Sequence, residues 1–164
     1  RVTKLEVTEA AEGMKVKPNC IYVIPPNKEI SITHGKLGLE PLKRVFGVRL
    51  PIDSFFRSLA DDRGEMAIGI ILSGTGTDGT LGIRAIHGAG GTVMVQTPST
   101  AKYSGMPESA VQTGLRKYPC RALVFGSHPQ RSHRGRAPSS AGVGQREMPP
   151  VVAVPSTRLG ERLH

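Results

Sequence analysis

The chain has 164 residues, of which 38% are hydrophobic and 4% aromatic, with no Trp. This length fits one domain with a tail, and no apolar run approaches the length that spans a bilayer. The net charge is +9, but residues 116–164 hold nine Lys or Arg against two acidic residues, so the basic character belongs to that region and says little about the folded part.

Two short strands are predicted near the start of the chain. "CIYVI" at 20–24 is rich in β-forming residues and stops at Pro25, and an alternation of apolar and polar residues runs from Ile30 to Gly35. We expect these two strands to pair as a hairpin. The following segment, 36–50, has no clear periodicity and is predicted to be a loop.

A helix is predicted from Pro51 to Gly64. Proline suits the first turn of a helix, and Asp53 lies early in it, where the helix dipole favours a carboxylate. Apolar residues then recur at helical spacing: Ile52, Phe55, Phe56 and Leu59.

Strands and helices alternate after this helix. The apolar run over 67–73 is typical of a strand buried on both faces of a parallel sheet. A short helix closed by glycines, a second buried strand "GTVMVQ" and a second short helix "MPESAVQTGL" follow. This order predicts an α/β fold with right-handed crossovers. Sites in such sheets form at the carboxyl ends of the strands, so the turn 73–79 and the loop 96–106 should be neighbours.

The turn from Gly74 to Gly79 has the pattern G-x-G-x-x-G, which is found in dinucleotide-binding folds. That function also requires an acidic residue at the end of the next strand, and none occurs between Asp78 and Glu108. The carboxylate of Asp78 would moreover repel phosphates, so we expect no binding of NAD or ATP. Two interpretations of Asp78 remain: it caps the helix that follows, or it takes part in catalysis.

Several separate blocks, in the right order, resemble the chemotaxis protein-glutamate methylesterase family, the CheB catalytic domain. They are "PNCIYVIPP", "PIDSFFRSLA", "LSGTGTDGTLGIRAI", "GGTVMVQ" and "YSGMPESA". The resemblance covers residues 2 to about 115. The "PIDSFFRSLA" block and the "SGTGTDG" turn are similar to versions of the domain that are fused to a chemotaxis methyltransferase module. It implies a doubly wound, mostly parallel, Rossmann-like three-layer α/β fold. Residue 1 aligns after the family's catalytic Ser and His, so the resemblance implies an N-terminally truncated domain.

The resemblance also implies a chemistry and a set of partners. The family hydrolyses glutamate methyl esters on the cytoplasmic helices of methyl-accepting chemoreceptors, within a two-component phosphorelay, by a Ser-His-Asp triad. Its Gly-x-Gly-x-Asp-Gly turn maps onto Gly74 to Gly79, which makes Asp78 the candidate triad aspartate and the Thr75 N–H a candidate oxyanion-hole donor. The expected protein is cytoplasmic, with a possible receiver or methyltransferase module in the parent chain.

No other residues of the sequence replace the missing Ser and His. His34 and His87 read as surface or helix-edge residues, and Ser73, Ser99 and Ser104 as strand-end and loop residues. The chain alone is therefore expected to be an inactive hydrolase fragment, with no metal and no cofactor. The alternatives are a non-catalytic remnant that binds a receptor or another partner and, less well supported, a nucleotide- or nucleic-acid-binding domain.

The domain division follows from the same signals. Residues 1–118 are expected to form the C-terminal part of a methylesterase domain, and 119–164, rich in Pro, Gly, Ser and Arg, a disordered tail. The two cysteines, Cys20 and Cys120, stand outside any C-x-x-C pair, which favours free thiols in a reduced compartment.

Overall fold

The computed structural model describes residues 5–42, 50–115 and the backbone of 151–153. The strands in these ranges are β1 Glu6–Glu9, β2 Cys20–Val23, β3 Lys28–Thr33, β4 Lys36–Pro41, β5 Ile68–Ile71, β6 Thr92–Val95 and β7 Val151–Ala153. The α-helices are α1 Pro51–Arg63, α2 Thr80–Gly88 and α3 Gly105–Gln112. None of the helices in the described ranges has the length and apolar composition needed to cross a bilayer.

Three sheets are formed by the described strands. β1 and β7 flank β2, with both pairs parallel, β3 and β4 form an antiparallel pair, and β5 pairs in parallel with β6. α2 connects the two strands of the last pair, as the alternation of strand and helix predicts.

The prediction that the strand at 20–24 pairs with the strand that begins at Ile30 is wrong. The "CIYVI" strand pairs with β1, and β3 turns back on β4 instead. The turn consists of His34 and Gly35, whose φ angles of 50° and 70° match the two positive values of a tight two-residue hairpin turn. Residues 36–41, predicted as a loop, are therefore a strand, and 43–49 lie outside the described residues.

α1 forms as predicted and joins the hairpin to the β5–α2–β6 unit. Proline opens it, and its C-cap Gly64 has a φ of 53°, which stops the helix. Its buried side chains Ile52, Phe55, Phe56 and Ala60 pack in the core between β3 and α2. Polar contacts reinforce the packing on the hairpin, since the Ile32 N–H donates to Ser58 Oγ at 3.1 Å.

β5 differs from the predicted strand on one face. Ile71 is 2% exposed and packs in the core, but Ile68 and Ile70 are 45% and 44% exposed. The apolar run thus correctly indicated a strand, whereas its second face is not covered as expected. Gly69 lies on the covered face, where a Cβ atom would approach Ile86 Cδ1 to 2.7 Å.

Most of the predicted tail, 119–164, lies outside the described residues. Within it, Val151–Ala153 form a strand that pairs in parallel with Ile21–Val23 of β2. The division of the chain near residue 118 and the disorder of the tail stay predictions.

Candidate active site

The glycine-rich turn leaves the carboxyl end of β5, where the sequence places it. Gly76 and Gly79 have φ angles of 86° and 92°, which L-residues with side chains rarely adopt. Gly79 also has no room for a side chain, because a Cβ atom there would lie 2.7 Å from Ile71 Cδ1 and 3.0 Å from Ile52 Cγ2. The turn is therefore packed against the start of α1, and this contact determines where Asp78 lies.

The Asp78 carboxylate binds the N-terminus of α1. Its Oδ2 accepts the Ile52 N–H at 3.1 Å, and its Oδ1 accepts the Asp53 N–H at 3.0 Å. These are two of the N–H groups that a helix start leaves without partners in its own helix. The hypothesis that Asp78 caps the following helix is thus wrong in its details: Asp78 caps a helix that begins 27 residues earlier in the chain.

Asp53 likewise caps the N-terminus of α2. Its Oδ1 accepts the Gly82 N–H at 2.6 Å, and its side chain is buried, with the residue 3% exposed. Neither N-cap residue, Leu50 in α1 or Gly79 in α2, makes a side-chain cap of its own. The two helix starts therefore exchange caps, an arrangement we call the crossed caps of Asp53 and Asp78. The sequence placed Asp53 in the first turn of α1 but gave no signal that it reaches α2.

The ionisation of Asp78 reflects two opposing influences. Partial burial raises the pKa of Asp78 above its ordinary value, since desolvation disfavours the charged form. The N–H groups of Asp53 and Ile52 lower that pKa, and the nearby charge of Asp53 raises it. Desolvation is the largest of these influences, so the net direction is upward. The side chain is thus partly buried against the start of α1.

The loop after β6 packs against the glycine-rich turn, as predicted. The Gly74 N–H donates to Tyr103 O at 3.0 Å, and the Met106 N–H donates back to Gly74 O at 2.9 Å. A Cβ atom on Gly105 would lie only 3.3 Å from the backbone nitrogen of Gly76. The start of α3 therefore holds the turn on both sides of Thr75.

Ser73 and Gln96 fasten this loop to the ends of the two strands. The Tyr103 N–H donates to Ser73 Oγ at 2.9 Å, and the Ser73 N–H donates to Gln96 Oε1 at 2.8 Å. Gln96 Nε2 donates to Thr100 O at 3.1 Å. Ser73 is thus a structural residue, and sequence reasoning missed Gln96, whose position directly after β6 was the available signal.

Thr75 lies at the exposed centre of the turn, between two glycines. Among the described residues no carbonyl or side chain accepts its N–H. The structure places Thr75 and Asp78 three residues apart in one turn at the carboxyl end of β5.

The histidines of the described ranges lie away from Asp78. His34 is in the hairpin turn, and His87 is in the last turn of α2, at the opposite end of that helix. In the described part of the chain, no histidine makes a hydrogen bond with Asp78. These residues also contain no group of three His, Cys, Asp or Glu able to hold a metal ion.

The start of α2 is poorly suited to a dinucleotide. The Gly82 N–H is taken by Asp53, the Thr80 N–H donates to Thr77 O, and the Ile83 N–H donates to Gly79 O. A bound phosphate would have to displace these partners and face the buried carboxylate of Asp53. The absence of NAD or ATP binding stays a prediction.

Comparison with known proteins identifies the family. Residues 1–122 match the family model for the CheB methylesterase domain. A 104.1 kDa uncharacterised protein of Rhodobacter capsulatus is 40% identical over 115 residues, which are 70% of this chain and 12% of that protein. Protein-glutamate methylesterase/protein-glutamine glutaminase 1 of Myxococcus xanthus is 36% identical over 121 residues, which are 71% of this chain and 35% of that protein.

The structural comparison agrees with the sequence comparison. The crystal structure of the Thermotoga maritima CheB methylesterase catalytic domain matches with a TM-score of 0.60 and 30% identity, over 67% of this chain and 60% of that chain. This likeness confirms the predicted Rossmann-like α/β class. The chain spans less than two thirds of the length of each of these relatives. By its sequence and its fold, the chain belongs to the CheB methylesterase family.

Proposed function

We propose that this chain contributes the triad aspartate, Asp78, to a protein-glutamate methylesterase. The observation that carries the proposal is the position of Asp78 at the carboxyl end of β5, with its carboxylate held by two backbone N–H groups. A carboxylate has about four lone-pair sites, so two remain for a histidine ring. An aspartate fixed in this way can orient a histidine without itself taking the proton.

The proposed reaction is acyl transfer from a glutamyl methyl ester to a serine. The serine hydroxyl attacks the γ-carbonyl carbon while the histidine takes its proton and then delivers it to the departing methanol. A water molecule, activated by the same histidine, then hydrolyses the acyl-enzyme. Asp78 accepts a ring N–H and stabilises the imidazolium in both steps, and the Thr75 N–H donates to the oxyanion.

The serine and the histidine of this proposal come from outside the described residues. The described histidines make no hydrogen bond with Asp78, and Ser73 Oγ accepts the Tyr103 N–H of the loop after β6. We therefore propose that the chain as given has no esterase activity. The substrate would be the methylated cytoplasmic helices of a chemoreceptor, which requires the protein to act in the cytoplasm.

The name of the Myxococcus xanthus relative joins the esterase with a glutaminase. Both reactions attack the same γ-carbonyl group and differ only in the leaving group, methanol or ammonia. A Ser-His-Asp site serves both because the histidine can protonate either leaving group. We propose the two reactions for the complete site of this protein.

The test compares methanol release from methylated chemoreceptor by two proteins. One is the chain as given, and the other is the chain preceded by the segment that carries Ser and His in the family, which we call the joined protein. We expect release by the joined protein alone. Release by the bare chain would overturn the proposal that its Ser and His lie elsewhere.

Substitution of Asp78 tests its role in the joined protein. Asp78→Asn should lower kcat by up to about four orders of magnitude, because the histidine loses the partner that selects its tautomer. A loss of about two orders is still consistent, since triad carboxylates differ in their contribution. The matched control is Asp61→Asn, which changes an exposed carboxylate of α1 and should leave kcat unchanged. Full activity of Asp78→Asn would contradict the catalytic role and leave Asp78 with the capping of α1 alone.

A further inference from the structure

The crossed caps form a closed set of contacts around Asp78. The Asp53 N–H donates to Asp78 Oδ1 at 3.0 Å, while Asp53 Oδ1 accepts the Gly82 N–H at 2.6 Å. Gly82 lies four residues after Asp78, so Asp53 holds the chain on both sides of the turn into α2. A shift of α2 relative to α1 would therefore break a contact of Asp53 and displace the Asp78 carboxylate.

The packing between the two helices leaves little freedom for such a shift. A Cβ atom on Gly82 would lie 2.5 Å from Phe56 Cβ and 3.1 Å from Asp53 Cα. The helices thus approach closely at the level of the crossed caps, and Asp53 is buried between them at 3% exposure. A buried carboxylate is costly unless it is hydrogen-bonded, so its contact with the α2 start is a strong constraint on the geometry.

We propose that Asp53 is a positioning residue for catalysis: its carboxylate holds the start of α2 against α1 so that the Asp78 carboxylate stays aimed at the histidine. The inference rests on the proposed function of Asp78 as triad aspartate. Asp53 acts through Asp78 and touches neither substrate nor histidine. Its contribution is therefore to the rate of the chemical step, with little effect on substrate binding.

The first arm of the test uses the joined protein and separates kcat from KM. Asp53→Ala removes the acceptor for Gly82 and should lower kcat by about 10- to 100-fold, the scale of a displaced catalytic group, with KM within about two-fold. Asp53→Asn keeps an oxygen at the same place and should restore kcat to within about five-fold of the unsubstituted protein. If Asp53→Ala does not fold, Asp53→Ser takes its place.

A matched control separates positioning from a general loss of stability. Leu37→Ala removes a side chain that is 1% exposed in the core between the hairpin and α1, and should lower the Tm without changing kcat at a temperature well below that Tm. A kcat for Asp53→Ala no lower than that of Leu37→Ala would overturn the proposal. An equal loss of kcat in Asp53→Asn and Asp53→Ala would overturn it as well, because the missing oxygen acceptor would then not explain the loss.

The second arm uses the chain as given and does not depend on activity. Amide hydrogen exchange is measured at Ile52, at residue 53 and at Gly82 in the unsubstituted chain and in Asp53→Ala. We expect exchange to rise at all three amides, since loosening of α2 frees the Asp78 carboxylate from α1. Unchanged exchange at Ile52 and residue 53 would overturn the positioning role. An inactive joined protein with the expected exchange would instead reject the proposed function and leave the structural coupling supported.

Discussion

At the scale of single residues, Asp78 combines a structural contact with the proposed chemistry. Its carboxylate caps α1, yet burial raises its pKa, so the charged form is held less favourably than in water. A histidine that becomes imidazolium beside it would act in the opposite direction and lower that pKa. The crossed caps therefore hold the carboxylate in place, while its charge is best stabilised when the histidine is protonated.

This raised pKa predicts how stability changes with pH. Because the folded chain binds the Asp78 proton more tightly than the unfolded chain, the contribution of Asp78 to the free energy of unfolding falls as pH rises from the ordinary aspartate value through the raised one. In the Asp78→Asn variant, position 78 does not titrate, so this contribution is absent. Relative to Asp78→Asn, the unsubstituted chain should thus lose stability over this acidic window and change no further above it. Urea titrations at a series of pH values measure the difference, and an increase with pH would contradict the assigned direction.

At the scale of elements, the approach of α1 and α2 depends on a residue without a side chain. Gly82 is buried in the first turn of α2, where a Cβ atom would collide with Phe56 and approach the Asp53 backbone. Alanine has the higher helix propensity by about 1 kcal/mol, so a surface position would gain from the same change. In this contact the collision outweighs the propensity, because the neighbouring atoms belong to another helix.

Gly82→Ala should therefore destabilise the chain by about 1–3 kcal/mol, the usual cost of overpacking. The matched control is Gly88→Ala at the other end of α2, where a Cβ atom would meet nothing within 4 Å. That change should be neutral or slightly stabilising. Thermal melts followed by circular dichroism compare the two variants, and equal Tm values would contradict the tight contact described for α1 and α2.

At the scale of the whole molecule, β5 exposes an apolar face. Ile68, Ile70 and the adjacent Leu72 are 45%, 44% and 49% exposed, although their sequence is typical of a strand covered on both sides. Exposed apolar side chains on a short sheet favour association with other molecules. We expect the chain alone to self-associate at micromolar concentration and to unfold with low cooperativity.

The double variant Ile68→Thr/Ile70→Thr should reduce this association, since threonine keeps the strand propensity and removes apolar surface. The same substitution on the covered face, Ile71→Thr, is the matched control and should cost about 2 kcal/mol or more of stability, because it buries a hydroxyl at a position 2% exposed. Sedimentation velocity measures the association. A monomeric unsubstituted chain with a sharp, reversible melt would refute the expected role of this face.

Local periodicity was sufficient to predict the helix that Pro51 opens, the strand–helix–strand unit and the position of Asp78 in the turn after β5. These features depend on the spacing of side chains along a few turns or strands, which a sequence contains directly. The resemblance of its motifs also predicted the family. The positions of the turn 73–79 and the loop 96–106 followed from the rule that parallel strands end at one edge.

Only the tertiary structure decided which distant groups meet. The sequence did not indicate that the Asp78 carboxylate caps α1 and that Asp53 caps α2, because each contact joins groups 25 to 29 residues apart. The partner of β2 was also predicted wrongly, since a strand's residues specify its two faces but not its neighbour at the edge. The apolar run through Ile70 likewise showed only that both faces of β5 are apolar. The packing of the rest of the chain determined that one of these faces is covered and the other exposed.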